Sequence, residues 1–448
     1  MGAYWSKVTL KILVDKKKNR VVFAEADKDF VDILFSFLTM PMGTIVRLTR
    51  KQSGSTALGC MKDLYEGLGN LNVVHFKSDK AKSLLLRPSN SSEHLCRKLK
   101  INIDDTEPTK YRFRYSSQDM YLIEDNVDQN DDQMGGVFVN GKTRFLISDD
   151  LRILQLSTTN SVELLSKFGV RDVNAVEEES VSVGIEEVLA LLRLSFHSVT
   201  PLTDLFLLKC VGHCGAFKTD PTGFVQRTVH PSFSYKKINL KIMLRRSCGM
   251  VLYAEAQEDF VDFLFSLLSI PLGSTVKLLD KTPSLRCIAN LYISVQNLSP
   301  GRDFKSEYIK TKLLSPKLAQ QFCYNIQVLG INESFQPHNR CLFQEVDSIR
   351  VTEFDANISS TLPPIGVNAY MDGPATFVVT DDLVVTPLSS ISSIFLLKKF
   401  QVPITDIEER VVSVGGEEAL RLLEASLTSK LALTHAFNLK PKIPKTEK

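Results

Sequence analysis

The feature that most constrains this chain is its likeness to itself. Residues 24–46 read AEADKDFVDILFSFLTMPMGTIV and residues 254–276 read AEAQEDFVDFLFSLLSIPLGSTV, identical at 14 of 23 positions with no gap at an offset of 230. Two more blocks follow in the same order. FLISDDL at 145–151 matches FVVTDDL at 377–383, and VSVGIEEVLALL at 181–192 matches VSVGGEEALRLL at 412–423. A period this long exceeds the roughly 20–50 residues of solenoid repeats, so the chain is a duplicated domain. The first copy is placed at 7–206 and the second at 237–433. A Pro-, Gly- and Thr-punctuated linker is expected at 207–236 and a disordered, basic tail at 434–448.

Each copy opens with a period-two run, Val8, Leu10, Ile12, Val14 and Ile238, Leu240, Ile242, Leu244, which predicts a strand with one buried face. A polar turn and the run Val21–Phe23 complete a hairpin. The spacing of Phe30, Ile33, Leu34, Phe37 and Leu38, repeated from Phe260, predicts an amphipathic helix, and Val31 and Phe35 widen its stripe until most sides are apolar. A strand is expected near 44–48, a helix near 56–68, then two or three strands and helices near 161–168 and 184–196. Because the first connection is a hairpin, the expected class is α+β: two tandem copies of one mixed-sheet α/β module.

Basic and acidic residues number 54 and 51, a net charge of +3 that argues against a dedicated nucleic-acid binder. The N-terminus lacks an apolar signal core, and no apolar run reaches the roughly 18–20 residues of a membrane span, so an intracellular protein, cytoplasmic with the nucleus as the alternative, with reduced cysteines is expected. Residues 1–7, MGAYWSK, fit the myristoylation pattern at Gly2. Peripheral membrane contact is expected only if Gly2 is acylated, with Lys16, Lys17, Lys18 and Arg20 as the available second signal.

Residues 136–143, GVFVNGKT, match the Walker A pattern literally. Val-Phe-Val reads as strand and Asn140-Gly141 as a two-residue turn, so a β-hairpin is expected there and no nucleotide site. The carboxylates that would serve an acid–base or metal site are Asp29, Asp32, Asp149 and Asp150, with Asp259, Asp262, Asp381 and Asp382 in the second copy. Their ordinary reading is helix-entry chemistry, with Asp29 as the cap and Asp32 in the first turn. Glu186 and Glu187 read the same way. Cys210, His213 and Cys214 lack the second knuckle that a structural zinc requires, as do Cys323, His338 and Cys341. No catalytic residue, cofactor or metal is assigned.

KVTLKILVD at 7–15, the AEAxxDFVDxLFSxL block, MPMGTIVRL at 40–48, GCMKDLYEGL at 59–68, ISDDL and VSVGIEEVLALL together make the chain resemble the plant family catalogued as domain of unknown function 674. The resemblance covers essentially the whole chain, implies a land-plant protein and brings no activity or site residues. Similar proteins carry paired cysteines in a zinc-ribbon-like insert matching 110–136, where this chain has none. The matched residues are mostly core positions and helix entries, which favours a non-enzymatic interaction or scaffold protein, in a stress or defence setting. The alternatives are an enzyme or small-ligand binder with a site between the copies and, more weakly, a nucleic-acid binder.

Overall fold

The computed structural model describes residues 6–50, 58–106, 111–113, 121–123, 135–209, 237–279, 285–319, 328–331, 341–345, 348–352, 358–360 and 369–439. In the first copy β1 (Val8–Asp15) and β2 (Arg20–Ala26) lead into α1 (Lys28–Ser36), α2 (Met42–Thr49), α3 (Met61–Asn70), α4 (Asp79–Leu86) and α5 (Glu93–Cys96). Then come β3 (Tyr111–Phe113), β4 (Tyr121–Ile123), β5 (Phe145–Ser148), β6 (Ile153–Gln155), α6 (Thr158–Lys167), β7 (Val176–Val183), α7 (Ile185–His197) and α8 (Pro201–Phe206). The second copy repeats the plan. It runs β8 (Ile238–Arg245), β9 (Val251–Gln257), α9 (Glu258–Ser266), α10 (Leu272–Leu278), α11 (Arg286–Asn297) and α12 (Glu307–Leu314). β10 (Cys341–Glu345), β11 (Ser348–Thr352), β12 (Ile358–Ser360), β13 (Thr376–Thr380) and β14 (Val385–Pro387) follow. α13 (Ser390–Phe400), β15 (Ile407–Val414), α14 (Gly416–Thr428) and α15 (Ala432–Phe437) close it. Residues 434–437 are thus helical and belong with the second copy.

The fold is α+β with two similar five-stranded sheets, ordered β6-β5-β2-β1-β7 and β14-β13-β9-β8-β15. Every neighbouring pair is antiparallel, so the mixed sheet expected from the sequence is not formed. β1 and β7, first and last of the sheet in chain order, lie side by side, and α6 carries the chain from the edge strand β6 across to β7 at the other edge. Val8, Leu10, Ile12 and Val14 are buried and alternate with outward Thr9 and Lys11, as the period-two pattern requires.

Residues 44–48 are helical. Pro41, at φ −63°, precedes the first turn of α2, and the whole of 42–48 is buried. The β-branched run Thr44-Ile45-Val46 misled the strand reading, because packing from every side outweighs a modest β preference. Proline here ends one short helix and starts the next.

The two copies are interwoven. Met42 donates its N–H to the Ile270 carbonyl at 2.9 Å, and Leu272 donates to Met40 at 2.9 Å, so Pro41 and Pro271 face each other across an approximate two-fold axis. On either side of that axis each copy lends helices to the other. α3 lies against α9 and β14 of the second copy, where the Cys60 N–H donates to the Ser426 carbonyl at 2.8 Å and the Cys60 thiol to that of Ser429 at 2.9 Å. Reciprocally, α11 lies against α1, α7 and β6, and the Cys287 thiol donates to the Ser198 carbonyl at 3.1 Å. Phe35 stacks on Phe304 of the other copy, ring centres 5.5 Å apart, and Phe265 stacks on Phe76 at 6.3 Å. A single buried core therefore runs through both copies. That is why α1 and α9 are apolar all round: Phe30, Val31, Ile33, Leu34 and Phe35 are each fully buried. Smaller clusters lie on the opposite sheet faces, under α6 and under α13.

Candidate functional site

The carboxylates singled out from the sequence are placed apart, each serving a local partner. Asp27, rather than Asp29, caps α1 by accepting the Asp29 N–H at 3.1 Å. Asp29 pairs with Lys100 at 3.1 Å, and Asp259 accepts the N–H of Phe260 at 2.8 Å. Asp32 is no first-turn surface acid. It is buried and accepts three successive backbone N–H groups, from Val137, Phe138 and Val139, the last two at 2.9 Å. Asp262 does the same for Tyr370 and Met371, at 3.0 and 2.9 Å. Burial pushes the Asp32 carboxyl up to about 7, against the opposing pull of those amides.

This cradle corrects the reading of 136–143. The turn falls one residue later than expected, on Gly141-Lys142, with the Thr143 N–H on the Asn140 carbonyl at 3.2 Å, and its arms are not paired strands. The preceding amides point at Asp32, and Val139 bridges instead to Phe304 of the other copy. Successive N–H groups around an anion are what a phosphate loop offers, and here the anion is the protein's own carboxylate. Gly136 permits the approach: a Cβ there would stand 2.6 Å from Asp32 Oδ2.

Asp149 and Asp381 are a second matched pair. Asp149 accepts the Thr203 N–H at 2.9 Å and its hydroxyl at 2.8 Å, and pairs with Arg20 at 2.8 Å. Asp381 holds Thr434 in the same way, at 2.8 and 2.6 Å. Each fastens a short closing helix, α8 or α15, onto its sheet. Burial raises both carboxyls, that of Asp381 to about 6. Asp150 binds Lys167 at 2.8 Å and Arg152 at 3.7 Å, and Asp382 accepts the Thr380 hydroxyl. Glu187 and Glu418 accept the N–H groups of Gly184 and Gly415, closing the entries to α7 and α14.

The lysines at the β1–β2 turn are engaged. Lys16 meets Glu179 at 2.5 Å and Glu177 at 3.4 Å, Lys17 meets Asp172 at 3.3 Å, and Lys18 donates to the carbonyls of Phe168 and Gly169. Strand β7 thus offsets the charge of Lys16, while Lys17 and Lys18 are held by the segment before it. Gly2, Cys210, His213, Cys214, Cys323 and His338 lie outside the described residues, as do most positions of the region matching the family's cysteine insert. Among the described residues no group of three His, Cys, Asp or Glu side chains is placed to hold a metal ion, and no helix is long and apolar enough to cross a membrane.

Two features were not legible beforehand. The first is a cleft between the copies, with a cavity of about 370 Å³, where α3 meets the edge strand β14. Asp63, Glu66, Asn70 and His75 come from the first copy, and Val385 and Pro387 from the second. Asp63 is paired with Lys430. The signal that could have pointed here is a fourth repeated block, Cys60-x4-Tyr65 against Cys287-x4-Tyr292, whose tyrosines donate to the Leu86 and Leu314 carbonyls at 2.8 and 2.9 Å. Its offset of 227 breaks step with the other blocks, and its helices exchange places in three dimensions.

The second feature is the outer face of α13. Ile391, Ile394 and Phe395, spaced i, i+3, i+4, are 68%, 66% and 63% exposed, while Leu396 and Leu397 pack on the sheet beneath. The matching positions of α6 are Thr159, Val162 and Glu163. The copies thus differ in chemistry on this outer surface at two of the three positions, Val162 being an exposed aliphatic like Ile394.

The fold comprises a duplicated antiparallel α+β module closed by helix exchange. The family model described as "Protein of unknown function (DUF674)" matches residues 5–121 and 116–417, and the chain belongs to that family. No curated protein and no solved structure matches the chain.

Proposed function

We propose that the protein is a non-enzymatic interaction protein that docks a partner protein on the outer face of α13. The observation that carries this reading is the exposure of Ile391, Ile394 and Phe395 on one helical face. Contiguous exposed apolar surface rimmed by polar groups is the usual mark of a protein contact. The helix is apolar on both faces, and only the inner one meets the sheet. Exposed Lys398 and Lys399 follow at its C-terminal end. The partner that fits is an amphipathic helix or shallow groove, apolar at its centre, with carboxylates reaching the two lysines.

The test transfers the surface of α6 onto α13 as Ile391→Thr with Phe395→Glu. Neither side chain contributes to the core, so the melting temperature should stay within about 2 °C of wild type, consistent with a surface change below about 0.5 kcal/mol. Affinity purification with quantitative mass spectrometry should then show a specific partner lost from the variant. Identical captured sets from the two proteins would overturn the reading. A concentration-dependent dimer in sedimentation experiments, abolished by the variant, would assign the face to a second copy of this chain instead.

A further inference from the structure

We propose that the cleft between α3 and β14 binds a small organic amine with an apolar body. The reason lies in a comparison that the molecule makes with itself. The approximate two-fold axis gives the cleft a counterpart, where α11 meets the edge strand β6, and there the same gap is sealed. The Ile153 N–H donates to the Ser294 hydroxyl at 2.9 Å, and the Asn290 amide donates to the Asp150 carbonyl at 2.8 Å. Gln155 meets both Asp303 and Arg302 across the seam.

At the cleft every one of these seals is replaced. Gly67 stands for Ser294, Asp63 for Asn290, Pro387 for Gln155 and His75 for Asp303. Without a side chain on Gly67 there is no hydroxyl for the edge strand to meet, and Val385 N lies 3.3 Å from where a Cβ would be. Pro387 has no amide side chain to reach across. One interface, built twice, is closed in one half and open in the other.

The chemistry of the opening selects the ligand. Leu71, Val385 and Pro387 provide an apolar wall, and Asp63 and Glu66 provide two carboxylates at one side. The lining contributes no lysine or arginine; Lys430 and Lys62 reach Asp63 and Glu66 from outside it, the latter only at 3.8 Å. A carboxylate and an ammonium form a charge-assisted hydrogen bond, whereas an anionic ligand would meet like charge. In the counterpart, Ile293 occupies the position of Glu66, so the acidic rim belongs to the open half alone. The volume lies at the small end of ligand pockets, roughly 300–1,000 Å³, which sets the body at about one ring and a short chain.

The experiment is calorimetric titration of the full chain with phenethylamine, beside 2-phenylethanol and 3-phenylpropanoate as neutral and anionic matches. The amine should bind saturably, the alcohol about tenfold more weakly, and the acid not at all. Gly67→Ser installs the residue that seals the counterpart and should abolish amine binding while leaving the melting temperature unchanged or higher, since glycine is a poor interior helix residue. If that variant melts lower, Glu66→Gln, on an exposed side chain, carries the test and should weaken the amine without weakening the alcohol. No saturable amine binding overturns the proposal. So does equal binding of amine and alcohol, or amine affinity unchanged in both variants.

Discussion

At the scale of single residues, the buried acids of this protein are fasteners. Asp32 and Asp262 tie loops to the central helices, and Asp149 and Asp381 tie the closing helices to the sheets. Sequence reading located all four and understood them as polar groups at helix entries. It could not see that the amides they bind lie some 53 to 109 residues away, because no local pattern encodes a contact of that range. Asp32→Asn should destabilise the protein by about 1–3 kcal/mol, since its amide group would set a donor against one of the three N–H groups. The loss should also depend on pH. Unfolded Asp32 titrates near its ordinary 3.8, and the folded carboxyl near about 7, so the folded state holds the extra proton between these values. Its contribution is therefore full below about 4 and is lost as pH rises through about 7. The wild-type advantage over Asp32→Asn in urea melts should be larger at pH 5 than at pH 8. The raised acids Asp104, Asp149 and Asp381, and the opposing His435, whose pKa burial lowers, are common to both proteins and cancel. A difference independent of pH would mean that the three amides keep Asp32 ionised throughout.

Whole elements were read well where one periodicity governed them. The β1–β2 and β8–β9 hairpins and the helices α1, α6, α7 and α9 fall where alternation or helical spacing put them. Reading failed at α2, where three β-branched or small residues masked a helix buried on all sides, and at 136–143, where amides turn toward an acid rather than a neighbouring strand. Both failures sit where the other copy presses in. The buried aromatic stripe gives a direct measurement. Phe260→Ala should cost about 3–5 kcal/mol in denaturant melts, the usual range for truncating a fully buried ring. Phe30→Ala should cost about the same. A loss below about 1 kcal/mol at either position would mean that the stripe is not packed in solution.

At the scale of the whole molecule, duplication was plain from the blocks at offsets near 230, but their arrangement was not. Self-similarity reports that two copies share a fold; it is silent on which copy each helix finally packs against. The exchange of α3 and α11 makes a specific expectation for residues 1–236 expressed alone. With no second sheet to receive it, α3 would leave Leu64 and Leu68, both fully buried in the whole chain, facing water. The fragment should therefore be unfolded, or should form a homodimer in which each protomer lends its helix to the other, replacing the approximate axis by a true one. Light scattering coupled to size exclusion, with circular dichroism, distinguishes these, and a folded monomer would contradict the exchange.

That exchange also has a cost in time. Cys60 and the Ser429 carbonyl that its thiol meets are 369 residues apart. At ribosomal speeds of roughly 5–20 residues per second, α3 waits about 20–70 s before its receiving surface has been made. For that interval the apolar face of α3 has no native place to go, in a chain whose first sheet is already complete but for its own borrowed cover. Ribosome-bound chains halted before α14 should carry a Cys60 that reacts quickly with a thiol reagent, while in the finished protein the same sulfur is sealed between the copies.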